Sequence, residues 1–217
     1  MLSTEAIYQV IYMERKKGND LTGYLRRGHR RRRKRRLDKQ PRVIIKNKVS
    51  IHERPKIIDK QKRVGDFEID LVQCKKGYLL TITERKTLYN IIEKLPNKKS
   101  IIVQEAIIKA LKSYKGKIYS ITSDNGTEFA NHEAITKRIN LQWYFADPYK
   151  SQQRGCNENQ NGLIREYFKR DTNLNSLTRE HIKSIQQKIN ARPRKKNDFI
   201  SPSRAVTLAH QIKMSHL

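Results

Sequence analysis

The sequence predicts a mixed α/β fold, one five-stranded sheet with helices on its faces and a basic N-terminal extension. Three observations lead there. Residues 65–95 hold three runs rich in β-formers, "GDFEIDLVQC", "GYLLTITER" and "LYNIIEKL", separated by short polar or Gly-containing breaks. A long helical stripe follows, and then two more apolar runs alternate with helical segments, giving the order three strands, helix, strand, helix, strand, helix. The 217 residues, 36% of them apolar, suffice for one core and leave no room for two large domains.

Residues 3–14, "STEAIYQVIYME", place Ile7, Val10 and Ile11 on one helical face behind a Ser or Thr cap. This short helix reads as packing scaffold, since no second helix precedes it as a recognition pair would require. Next comes "RRGHRRRRKRR", in which Arg26, Arg27, Arg30, Arg31, Arg32, Arg33, Lys34, Arg35 and Arg36 make nine basic residues in eleven. With no hydrophobic residue to join a core, it is expected to be a solvated arm that binds phosphate backbones without reading sequence. Residues 41–64 hold two prolines and scattered Ile pairs, which predicts an extended linker and a domain that begins near Val64. The expected organisation is therefore extension 1–63, core 64–205 and tail 206–217.

Within the core, "SIIVQEAIIKALKSYKG" sets Val103, Ala106, Ile107, Ala110, Leu111 and Tyr114 at helical spacing, with Ser100 as cap and Gly116 as stop. A strand ending at Asp124, a helix near 131–139, the strand "LQWYFAD" and a helix from about Asn157 complete the alternation. The last helix, "LTREHIKSIQQKI", aligns Ile182, Ile185 and Ile189 and stops before Pro193.

A formal charge of +27, from 48 basic and 21 acidic residues, points to a polyanionic partner. Composition alone does not separate DNA from structural RNA. Cys74 and Cys156 are too far apart in sequence for a zinc spacing, and two cysteines make no disulfide framework. No stretch reaches the roughly 18 apolar residues of a membrane span, and the N-terminus has no signal-peptide core. A soluble protein of a reducing cytoplasm is expected, with no membrane partner.

Asp124, in "TSDNGTEF", sits at the C-terminal end of an apolar strand, where α/β sheets place reactive groups, although Asn-Gly is also a strong hairpin signal. In "GDFEIDLV", Asp66, Glu68 and Asp70 share one strand face and Phe67, Ile69 and Leu71 the other. Periodicity does not choose among the three acids, and a solvent-facing acidic edge fits it equally. In so basic a chain, however, an acidic cluster can meet DNA phosphate only through a metal, which favours catalysis. Glu158 lies 33 residues beyond Asp124, counted between the two. Arg165 follows Glu158 by a rotation of about 700°, nearly the same helical face, with Glu158 expected on metal and Arg165 on DNA backbone.

With these stretches in hand, the chain resembles a transposase of the insertion-sequence-30 family, whose catalytic fold is the ribonuclease-H-like fold of DDE transposases and retroviral integrases. The matching stretches are "IHERP", "GDFEIDLV", "TSDNGTEF", "YFADPY", "RGCNENQNGLIREYF" and "NARPRK", together spanning roughly residues 3–205, and the 33-residue spacing is the family's own. The resemblance implies Asp70, Asp124 and Glu158 as the acidic triad, holding two Mg2+ or Mn2+ ions, and Arg165 as the basic position after the glutamate. It implies cutting of a mobile element's ends and transfer of the 3′-hydroxyls into target DNA. Partners would be double-stranded DNA, as element ends and target, and further copies of the chain on that DNA, in a bacterial cytoplasm at the nucleoid. Phe67 and Ile69 stand where the family usually has Trp and Gly, Gln152 stands where Trp is usual, and the usual preceding helix-turn-helix region is missing. The alternative function is a truncated, catalytically impaired DNA-binding remnant or regulator of transposition.

Overall fold

The computed structural model describes residues 3–25, 45–148 and 150–214, and the chain divides into two compact units, Met1–Arg42 and Val43–Leu217. In the first, helix α1 (Thr4–Lys16) starts where the Ser3 hydroxyl accepts the Ala6 N–H at 3.1 Å. Glu5 in its first turn and Arg15 and Lys16 in its last each sit at the end that the helix dipole favours. The expected stripe forms on a helix with no buried residue: Ile7 and Val10 are 47% and 50% exposed. The nine basic positions from Arg26 to Arg36 lie outside the described residues.

The second unit starts earlier than the expected Val64, because much of the supposed linker packs. Ile45, Ile51 and Ile58 are buried. Ser50 and Glu53 form a capping box around a single 3-10 turn (Ile51–Glu53), and helix α2 (Lys56–Asp59) follows Pro55. The prolines rule out one long helix, but each short turn points one isoleucine inward, and burying those side chains outweighs an extended, solvated chain.

The three β-rich runs form β1 (Asp66–Gln73), β2 (Tyr78–Glu84) and β3 (Asn90–Leu95), an antiparallel meander. The β1–β2 turn requires glycine: Gly77 has φ +91°, and a Cβ there would stand 3.0 Å from the Leu95 carbonyl oxygen. In the β2–β3 turn Leu88 takes φ 61°. Buried Glu84 holds that turn by accepting the Thr87 N–H and hydroxyl, both at 2.6 Å.

Helix α3 (Ser100–Lys112) crosses to β4 (Ser120–Ser123), and α4 (His132–Ile139) leads to β5 (Gln142–Phe145). Both late strands run parallel to β1, and the sheet order is β3-β2-β1-β4-β5. Ser100 is the first helical residue of α3 rather than its cap, since Lys99 occupies that position with its N–H on Asn97 Oδ1. The helix ends at Lys112, before Gly116; a Cβ on Gly116 would come 2.3 Å from His210 Nε2, so close approach fixes that glycine.

Helices α5 (Gly155–Tyr167) and α6 (Arg179–Ala191) cover the other face, and α7 (Pro202–Met214) replaces most of the expected tail. Val206 of α7 is buried, and His210 meets the Tyr114 ring edge-on. Alternation along β1 separates the two layers. Phe67 and Ile69 join Val103, Ile107 and Leu111 under α3, whereas Val72 joins Ile164, Ile182, Ile185 and Ile189 under α5 and α6. The face of β1 under α5 is therefore acidic over its first half and apolar beyond.

Candidate active site

Asp70 and Asp124 meet because β1 and β4 run parallel in fixed register. Asp66 pairs with Ser120 and Glu68 with Thr122. Two residues further along the same offset, Asp70 falls beside Asp124, which immediately follows β4. Asp124 Oδ1 accepts the Gly126 N–H at 3.0 Å, so the "SDNG" turn aims this carboxylate. Asp70 Oδ1 accepts the Leu71 N–H at 2.9 Å and Oδ2 accepts Asn161 Nδ2 at 2.8 Å. Asn161 Oδ1 in turn takes the Thr81 hydroxyl at 3.2 Å, which fixes the amide's orientation.

Between the two acids lies Arg154. Its Nη2 is 3.2 Å from Asp124 Oδ2 and its Nη1 is 3.7 Å from Asp70 Oδ1. Nη1 also donates to the Ile69 carbonyl at 3.2 Å. The Arg154 side chain is only 12% exposed, whereas those of Asp70 and Asp124 are 25% and 41% exposed. Burial pushes the Asp70 carboxyl up to about 6; Arg154 pulls against that rise and Asp124 adds to it.

The other two acids of the strand are already committed. Asp66 accepts Arg63 Nε and Nη2 at 2.7 and 2.9 Å and the Ser120 hydroxyl at 2.6 Å. Glu68 accepts Arg85 Nε at 2.9 Å and the Asn157 N–H at 3.0 Å, placing a carboxylate on the N-terminus of α5. Both are 1% exposed. The solvent-facing edge is thereby excluded: β1 is the central strand, and Asp70 alone of the three acids is open beside Asp124.

Glu158 and Arg165 do share helix α5, but they serve different surroundings. Glu158 is exposed on the first turn, apart from Asp70 and Asp124; no group of three or more His, Cys, Asp or Glu able to hold a metal exists among the described residues. Arg165 reaches the C-terminal end of β1 instead, its Nη2 donating to the Gln73 carbonyl at 2.7 Å and its Nη1 lying 3.9 Å from Cys74 Sγ. The structure thus joins two of the three expected acids and adds Arg154 and Asn161, which the sequence reading omitted. The available signal was position: Asn161 follows Glu158 by three residues on the same helical face, and Arg154 stands one residue before the helix.

Beside this site, His52 of "IHERP" meets Asp147 of "YFADP". Asp147 accepts Lys150 Nζ at 2.9 Å and His52 Nε2 and Gln153 Nε2 at 3.0 Å, and these hydrogen bonds, the one from Lys150 foremost, bring its carboxyl down to about 2. Arg54 donates to the Thr122 hydroxyl at 3.1 Å and pairs with Asp59.

A family model described as an integrase core domain matches residues 61–151. The transposase for insertion sequence element IS4351 of Bacteroides fragilis is 42% identical over 205 residues, 94% of this chain and 63% of that protein. The transposase InsI for insertion sequence element IS30A of Escherichia coli K12 is 34% identical over 212 residues, 94% of this chain and 55% of that protein. The chain therefore spans little more than half the length of these relatives. In fold, it superimposes on the crystal structure of the catalytic core domain of BIV integrase with TM-score 0.54 and 16% identity, over 69% of this chain and 98% of that one.

Proposed function

The chain belongs to the insertion-sequence transposases of the IS30 type, and from that premise we propose that it cuts the ends of a mobile element and transfers them into target DNA. One observation carries the reading: two carboxylates from neighbouring parallel strands of an integrase-like sheet face a single shared cation. Two oxygen donors already balanced by one positive charge fit a hard divalent ion. Asp70, Asp124 and Glu158 would hold two Mg2+ or Mn2+ ions. When bound, such ions activate a water or a 3′-hydroxyl against the phosphodiester and stabilise the leaving oxygen.

The chain's own groups do the positioning. Asn161 and Thr81 keep Asp70 turned toward Asp124, and the Gly126 N–H keeps Asp124 turned toward Asp70. The basic arm from Arg26 to Arg36 holds duplex phosphates, and Arg165 contacts DNA backbone near the cut. The DNA is double-stranded, as element ends and target, and further copies of the chain assemble on it at the bacterial nucleoid. No helix among the described residues is long and apolar enough to cross a membrane. A remnant that only bound DNA would have no use for two aligned carboxylates, which repel phosphate.

The test is plasmid nicking in Mg2+ by the parent and by Asp124→Asn, which keeps shape and removes charge. The variant should lose at least about a hundredfold in rate, as removal of a group essential to the chemistry does. Equal rates, with contaminating nuclease excluded, overturn the reading.

A further inference from the structure

The proposed reaction needs a cation between Asp70 and Asp124, and the folded chain already supplies one. Arg154 bridges the two carboxylates at 3.2 and 3.7 Å, is anchored by the Ile69 carbonyl, and is more buried than either acid. Its planar fork spans two acceptors in a way a single point charge does not. Next to it, the inner side of α5 is poorly satisfied. Asn157 is 1% exposed, yet among the described residues neither its Oδ1 nor its Nδ2 has a hydrogen-bond partner, and neither does Nε2 of fully buried Gln160. Buried amides without partners are expensive, so this side of α5 has polar groups that a different seating could satisfy. Glu158, on that same turn, is the expected acid that stands apart.

Resting on the reading above, we propose that Arg154 is a positioning residue that competes with the divalent ion. In the metal-free protein it neutralises Asp70 and Asp124 and keeps them from repelling one another. With a divalent ion bound, Asp70 and Asp124 would hold it where they now hold the guanidinium, Arg154 would leave the pair, and the first turn of α5 would reseat, about its Glu68 contact, with Glu158 toward the acids. Metal affinity is therefore set partly by a competitor built into the chain.

The experiment is Mn2+ binding to the 217-residue chain by calorimetry, with thermal unfolding measured with and without Mn2+. Arg154→Gln removes the competitor, so its Mn2+ dissociation constant should fall about three- to tenfold, the range of a partly buried charge pair. Its metal-free melting temperature should drop, and its Mn2+-induced rise should exceed that of the parent. Arg154→Lys covers the case in which the glutamine variant fails to fold: one ammonium spans the two acids poorly, so this variant too should bind Mn2+ more tightly than the parent. Weaker or unchanged Mn2+ binding in the folded variants makes Arg154 an organiser or a bystander and overturns the proposal. Asp124→Asn separates the two failures. If it binds Mn2+ like the parent, the acids are not the metal site and the functional reading falls; if it loses Mn2+ while Arg154→Gln gains nothing, only the competition falls.

Discussion

Glu68→Gln provides a demanding test of how the acids of β1 divide between structure and chemistry. Glu68 and Arg85 are both buried, joined at 2.9 Å, and the second carboxylate oxygen takes the Asn157 N–H at 3.0 Å. Charge-assisted hydrogen bonds contribute about 1.5–3 kcal/mol each and neutral ones about 0.5–1.5. Glutamine keeps a single acceptor oxygen, so one bond falls from the first kind to the second and the other is lost with the amide NH2 facing a donor, a loss of about 2.5–4.5 kcal/mol. Arg85 then remains buried with the Ile58 carbonyl still accepting from Nη1 but without a full counter-charge, which carries the loss toward the 3–5 kcal/mol typical of a broken buried pair. At a urea slope of about 2 kcal/mol per M, the unfolding midpoint should move down by about 1–2 M. Mn2+ affinity, measured well below that midpoint, should stay within about twofold, because Glu68 faces Arg85 rather than Asp124. Asp70→Asn should behave in the opposite way, changing stability by no more than about 1 kcal/mol and losing Mn2+. A Glu68→Gln protein as stable as the parent but impaired in Mn2+ binding would show that Glu68, not Asp70, is the ligand, and would refute the division.

Two further outcomes follow from other parts of the molecule. Burial pushes the Cys156 thiol up to about 11, and a raised thiol pKa means less thiolate at any pH below it. At pH 8 Cys156 should therefore react with an alkylating reagent about a hundredfold more slowly than an unperturbed thiol near 8.5, and mass-spectrometric labelling at the rate of a free peptide thiol would contradict that burial. For the arm, deleting residues 1–40 should flatten the dependence of duplex binding on salt by several phosphates' worth of counterion release, at roughly 0.9 per phosphate, while weakening element-end and random duplexes alike. A titration in which only the element-end duplex loses affinity would make the arm a sequence reader.

The strands and most helices were legible because their signal is local. The period of two in "GDFEIDLV" placed Phe67 and Ile69 in one layer and the acids in the other, and the stripe of Ile182, Ile185 and Ile189 lies buried as expected. Residues 45–64 misled because prolines and charge hid single inward isoleucines, whose burial depends on a sheet edge formed by residues far along the chain, such as Phe145, whose N–H reaches the Val49 carbonyl. Helix α7 was missed for a related reason: its anchor, His210 against Tyr114 and Gly116, is a tertiary contact that no local pattern records.

The candidate site shows the same division more sharply. Alternation established that Asp66, Glu68 and Asp70 share a face but could not rank them, because the ranking comes from cations placed elsewhere in the chain. Arg63 and Arg85 take the first two acids out of solvent, and the third is left beside Asp124 by the parallel register. Spacing, for its part, suggests which acids act together without fixing where the fold seats each of them. Here two carboxylates brought side by side must be neutralised by whatever charge is near, and in a chain of net +27 that charge is an arginine. The basicity proposed to draw the protein to DNA thus also supplies the cation lodged between Asp70 and Asp124, and under the proposed competition Arg154 links metal occupancy to the seating of α5.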